Sequence, residues 1–256
     1  MKQIFSALIV ILCFATAVAR PAQSSREDYD ALMKILQAPA DARIQMGEEF
    51  LTKYPQSSYV SNVHQQLAYA YHQKNPDKVI EHAEQARSIK DPSMLTFLAS
   101  AYNDKKNEAK TIETAEAAIQ LVNTSAKPAD VTDEQWAAQK NALFSFNQQL
   151  MGMSYYRQAK AVKTPPDALL NKSKEALKAS IAVGPKNDIA YYYLGLTLAE
   201  QSQGDAACEA LAKAVAIEGP AKPYAQQDLE KIYMHYHKKS KVGLDKVLAK
   251  AKAEMK

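Results

Sequence analysis

The sequence predicts an all-α fold in which paired antiparallel helices stack side by side, and three observations carry that expectation. Ala, Leu, Lys, Gln and Glu dominate while only 7 of 256 residues are glycine, and the abundant types lose least entropy in a helix. No stretch alternates apolar and polar with period two, so no sheet is expected. The segment at 178–185 (KASIAVGP) returns 35 residues later at 213–220 (KAVAIEGP). Each copy reads as a helix end, with Gly supplying a left-handed cap and Pro a missing donor.

Working outward from those stops, one unit runs Tyr191, Leu194, Gly195, Leu198, then Ala207, Leu211, Ala214 and Pro220. Its opening half returns as His64, Leu67, Ala68, Tyr71, as Leu95, Leu98, Ala99, Tyr102, as Gln148, Met151, Gly152, Tyr155, and more weakly as Gln226, Leu229, Glu230, Tyr233. Residues three and four apart share a helix stripe, and Gly or Ala beside a large apolar residue lets a second helix approach closely. Two helices so matched form a hairpin with an unburied outer face, and stacking hairpins buries it.

These residues resemble the tetratricopeptide repeat, W-x2-L-G-x2-Y followed by A-x3-F and P. The stretch 50–71 (FLTKYPQSSYVSNVHQQLAYAY) adds a local resemblance to the opening repeat of bacterial extracytoplasmic tetratricopeptide proteins, with Pro55 after one helix and Ser57 or Ser58 capping the next. The resemblance implies a right-handed superhelix of stacked hairpins, an alpha-alpha solenoid of about twelve helices, with a concave groove.

In order, helices are expected near 26–37, 39–54, 58–74, 76–90, 92–104, 107–123, 132–162, 166–183, 187–202, 204–218, 222–238 and 241–255. The leucine-type positions 67, 98, 151, 194 and 229 are spaced 31, 53, 43 and 35 apart, against a family period of about 34. The first excess holds a loop at 123–131 and a helix opened by Thr132 with Gln135 three residues on, a capping box. The second lengthens that helix and adds the turn Lys163-Thr164-Pro165-Pro166. One domain over 24–256 is therefore expected, irregular at about 123–166.

Residues 1–19 read as a secretory signal: Lys2, an apolar run from Ile4 to Phe14, and Ala17-Val18-Ala19 before Arg20. An uncleaved signal would instead anchor the chain. Cleavage after Ala19 removes Lys2 and leaves 31 basic against 28 acidic residues, a balance that names no partner. Eight lysines crowd 231–256, which reads first as a solvated terminal helix. Only Cys208 remains in the mature chain, so no internal disulfide forms and helix packing must supply stability.

No residues assemble into a catalytic or metal constellation, and no cofactor is expected. The glycines never fall within four residues of each other, which excludes phosphate-cradling loops. His235 and His237 are two apart and point to different sides, while His64 and His72 share a face two turns apart. There is no G-x-S-x-G elbow. The clusters Tyr155-Tyr156 and Tyr191-Tyr192-Tyr193 suggest a stacking site for sugars, but most of these rings fit the packing stripe.

In the family the resemblance names, ligands lie along the first helix of each hairpin, on its face away from the core leucine. Carried over by spacing, that face holds Gln65, Tyr69, His72 and Gln73, then Thr96, Ser100 and Asn103, then Gln149, Met153, Tyr156 and Arg157, then Tyr192, Leu196 and Glu200. The Lys and Asn pairs with which some members clamp a peptide carboxylate are missing. The expected function is a non-catalytic scaffold of the bacterial cell envelope that binds an unidentified protein partner and no nucleic acid. Tyr69, His72, Asn103, Met153, Tyr156, Arg157 and Tyr192 are the binding candidates. The alternative is a glycan or small-ligand binder that uses the tyrosine clusters.

Overall fold

The computed structural model describes residues 25–255, and the expected signal at 1–19 lies outside them. The described residues form twelve α-helices and no strand. The chain divides after Ser125 into two compact units.

The first unit holds α1 (Arg26–Gln37), α2 (Ala40–Lys53), α3 (Val60–Tyr71), α4 (Pro76–Gln85), α5 (Pro92–Asp104) and α6 (Glu108–Thr124). Side chains that accept from free backbone N–H groups start four of them: Ser25, Asn75, Asp91 and Asn107. Pro76 and Pro92 open α4 and α5 where a missing N–H costs nothing. Each helix packs on its successor, and α3 also reaches α5. Leu32, Ile35, Phe50, Tyr59, Val63 and Leu67 form the first core layer. Ala68, Ala83, Ala86, Met94, Leu98 and Tyr102 form the next. Alanines opposite leucine and methionine are what the repeat spacing calls for.

The second unit holds α7 (Asp133–Lys160), α8 (Asp167–Val183), α9 (Asp188–Glu200), α10 (Gly204–Ala216), α11 (Lys222–Tyr236) and α12 (Leu244–Glu254). The Thr132–Gln135 capping box forms at the start of α7. Helices α7 to α10 pack each on the next, whereas α11 and α12 both lie against α10. Leu244 and Ala251 of α12 join Leu211, Val215, Leu229, Tyr233 and buried Cys208 in one cluster. Burial pushes the Cys208 thiol up to about 11, so it packs as a small apolar group.

Two glycines set the hairpin spacing. A Cβ on Gly152 of α7 would sit 2.5 Å from Leu177 Cγ and 3.2 Å from the Ser173 carbonyl oxygen of α8. One on Gly195 of α9 would sit 2.5 Å from Leu211 Cγ and 3.1 Å from the Ala207 carbonyl oxygen of α10. Each helix therefore rides directly on the backbone of its partner.

The Gly-Pro stops work differently from the expected left-handed cap. Gly184 has φ −125°, and a Cβ there would strike the Ser145 side chain. At the second copy the left-handed residue is Glu218, φ 62°, while Gly219 leaves room for the Asp188 carboxylate. Both glycines serve close approach. Helix α4 also ends at Gln85, short of the expected 90, because a turn from Ala86 to Ile89 leads into the Asp91 cap. Helix α3 ends at Tyr71, short of 74, because Gln73 turns left-handed before Asn75 caps α4.

Gly195→Val should lower stability by about 1–3 kcal/mol, since the overlap with Leu211 exceeds what helix propensity returns. A urea unfolding midpoint equal to that of the wild type would refute the close-approach account.

Candidate functional site

The seven candidates fall three in the first unit and four in the second. In the first unit Tyr69 is fixed on three sides. Its hydroxyl donates to Asp91, Gln65 Nε2 donates to the same carboxylate at 2.6 Å, and its ring meets Phe97 edge-on at 5.5 Å. The other Asp91 oxygen accepts from the Ser93 and Met94 backbone N–H groups at 2.8 and 3.3 Å. One carboxylate thus caps α5 and ties it to α3. His72 stacks on Phe97 at 3.9 Å, and burial holds its ring down at about 4, so it is neutral at physiological pH. Asn103 is 4% exposed. Tyr69 and His72 thus form the joint between α3 and α5, and all three candidates turn most of their surface toward protein.

In the second unit Met153 is 3% exposed and packs with Ile189 and Ala221. Tyr156 and Tyr192 both meet Tyr193 edge-on, at 5.7 and 5.3 Å. The Tyr192 hydroxyl donates to Asp228 Oδ2 of α11 at 2.9 Å. Burial first, then the neighbouring carboxylates, raises both phenols above their ordinary range. Arg157 is partly exposed and donates to Ser154 Oγ at 3.4 Å. Lys160 of α7 pairs with Glu200 of α9 at 2.7 Å, and Lys231 with Asp228 within α11 at 3.4 Å.

Beside this tyrosine wall an open cleft runs between α9 and α11. Leu196, Ala199 and Glu200 line one side, and Lys231, Ile232, His235 and Tyr236 the other. Leu196, Ala199 and Ile232 give it apolar surface while Glu200 and Lys231 bring both charge signs, a mixture that protein-binding patches share. Tyr236 is among the exposed large hydrophobic side chains described. The sequence reading reached Leu196 and Glu200 but missed the α11 side. The spacing that gave Tyr69 and Gln73 from Leu67 gives Lys231 and His235 from Leu229; only the weakness of that last repeat hid them.

The sequence matches no known family model and no characterised protein. Among solved structures, yeast Tom70 superposes with a TM-score of 0.50 at 17% identity, over 89% of this chain and 42% of that one. MamA (41-end) from Desulfovibrio magneticus RS-1 gives 0.47 at 16% identity, over 76% and 94%. Both are tetratricopeptide-repeat proteins. This chain spans less than half of Tom70, and at such identities the likeness concerns fold alone. The fold is that of a tetratricopeptide helix-hairpin array.

Asp91→Ala should cost about 1–2 kcal/mol as a lost cap, and more than Asn75→Ala, because Asn75 caps α4 whereas Asp91 also holds Gln65 and Tyr69. Equal shifts in the two unfolding midpoints would show that the link to α3 contributes nothing.

Proposed function

We propose that this chain is a non-catalytic scaffold of the bacterial cell envelope that binds a protein partner on the exposed face of α9 and α11. The cleft between these helices is the observation that carries the reading. It offers apolar side chains, an exposed tyrosine and charged groups of both signs, and large amphipathic side chains concentrate binding energy at interfaces. The tyrosine wall beside it, from Tyr156 to Tyr192, is held rigid by edge-to-face contacts and by Asp228, so it presents a surface already ordered before a partner arrives. These rings are turned into one another and their faces are partly covered, which favours a protein partner over a sugar that needs a flat platform. Arg157, at the edge of the wall, extends the same surface. Met153 packs behind Tyr192 and Tyr193 in the same unit, whereas Tyr69, His72 and Asn103 belong to the first unit and take no part in this surface. Export is proposed from the signal pattern at 1–19.

Two outcomes are expected. A photo-crosslinking residue at position 196 should capture a discrete protein from envelope extract, and Tyr236→Ala with Lys231→Glu should reduce that capture about tenfold or more. Undiminished capture by the double variant removes the cleft from the account. Sequencing the N-terminus of the protein recovered from the periplasm should read from Arg20; recovery with Met1 intact in the cytoplasm contradicts export.

A further inference from the structure

Three of the five histidines crowd the hairpin of α3 and α4: His64 on α3, His72 just after it, and His82 on α4. His64 Nδ1 and His82 Nδ1 are 2.9 Å apart, with ring centroids at 5.2 Å. Two imidazole nitrogens at that distance hold one proton between them, so the contact exists only while one ring keeps its lone pair. His82 is 1% exposed. Its Nε2 lies 3.3 Å from Glu48 Oε1 of α2 but out of line for a hydrogen bond, which makes that contact electrostatic. Tyr71 lies flat on the His82 ring, 5.6 Å between centroids and 8° from parallel, and donates to the same Glu48 oxygen at 3.2 Å. Lys78 and Glu81 of α4 stand nearby and pair with each other at 2.9 Å. His72 stacks on Phe97 of α5. Three helices, α2, α3 and α4, therefore meet at one proton, and the neighbouring histidine seats the hairpin on α5.

We propose that His64, His72 and His82 form an acid-sensitive latch that holds the α3/α4 hairpin closed while the three rings are neutral and releases it when they are protonated. The first added proton is tolerable, because it gives His82 an N–H toward His64 and a positive charge beside Glu48. The second removes the last lone pair and sets two cations face to face. A charged His72 demands water where Phe97 now covers it. Burial holds all three rings below the ordinary histidine value, with repulsion between His64 and His82 adding to it and Glu48 and Glu81 opposing it. The sign follows: the folded hairpin binds fewer protons than the unfolded one, so its stability is complete above about pH 6.5 and falls as pH drops toward 4. Among the described residues the second unit holds no such histidine pair: His235 is exposed, and His237 is partly exposed, stacked on Tyr233 and 3.6 Å from Asp205. Histidine clusters released near pH 5–6 are an established way to open an interface.

Hydrogen exchange followed peptide by peptide on the full mature chain tests this, with intrinsic rates corrected for pH. Each pH unit below the unfolded value weakens a site that must stay neutral about tenfold. Between pH 7 and 5, amides of 60–85 should therefore lose at least about tenfold in protection, while α9 and α10 hold theirs. His64→Gln, which keeps a hydrogen-bond donor but cannot be charged, should lose less. Equal loss in both units, or an undiminished loss in His64→Gln, overturns the latch. As an independent readout on the wild type, ring-proton NMR should show His64 and His82 titrating below the ordinary value; midpoints at or above it overturn the proposal too.

Discussion

The fold rests on one steric constraint: a helix must lie directly on the backbone of its partner. Gly152 and Gly195 permit it, and Leu177 and Leu211 fill the space that their missing side chains leave. Those leucines are fully buried, so the packing of α8 and α10 is fixed by atoms that α7 and α9 do not have. Close-packed interiors transmit such a fit rather than absorb it. The first unit uses Gly47 of α2, where a Cβ would sit 2.7 Å from Leu67 Cδ2 of α3, and alanines, setting Ala68, Ala83 and Ala86 against Met94 and Leu98.

Apolar packing alone would let hairpins slide, and buried polar joints stop this. Asp28 accepts from Ser57 at 2.7 Å, Asp91 joins α3 to the start of α5, and Asp188 takes the Ala221 backbone N–H at 2.7 Å. In the second unit Ser145 and Ser180 exchange bonds between α7 and α8 at 2.7 to 3.1 Å. Ser173 bonds both the Gly152 carbonyl and Thr197 at 2.9 Å, joining α7, α8 and α9. Each such group is costly to leave unpaired, so together they fix one register. The same logic accounts for His64 and His82, except that their bond depends on a proton count.

Much of this was legible from the sequence because periodicity and small-residue spacing are local signals. The twelve described helices and the capping box at Thr132 follow from residue patterns. Contacts across a hairpin do not. His64 and His82 are 18 apart, and no helix spacing pairs them; only the turn between α3 and α4 brings their rings together. Burial is equally hidden. Counting from the core leucine put Asn103 and Met153 on the groove face, yet both sides of α5 are covered and Met153 packs against Ile189. The purpose of Gly184 and Gly219 was misread for the same reason, since the atoms they make room for, in Ser145 and Asp188, lie more than 30 residues away.

The most direct test of the close-approach constraint is a methyl-labelled NOE spectrum of the mature chain. Strong cross-peaks from the Leu177 methyls to the Gly152 α-protons, and from the Leu211 methyls to those of Gly195, are the expected result. A helical protein that lacks both would contradict the account.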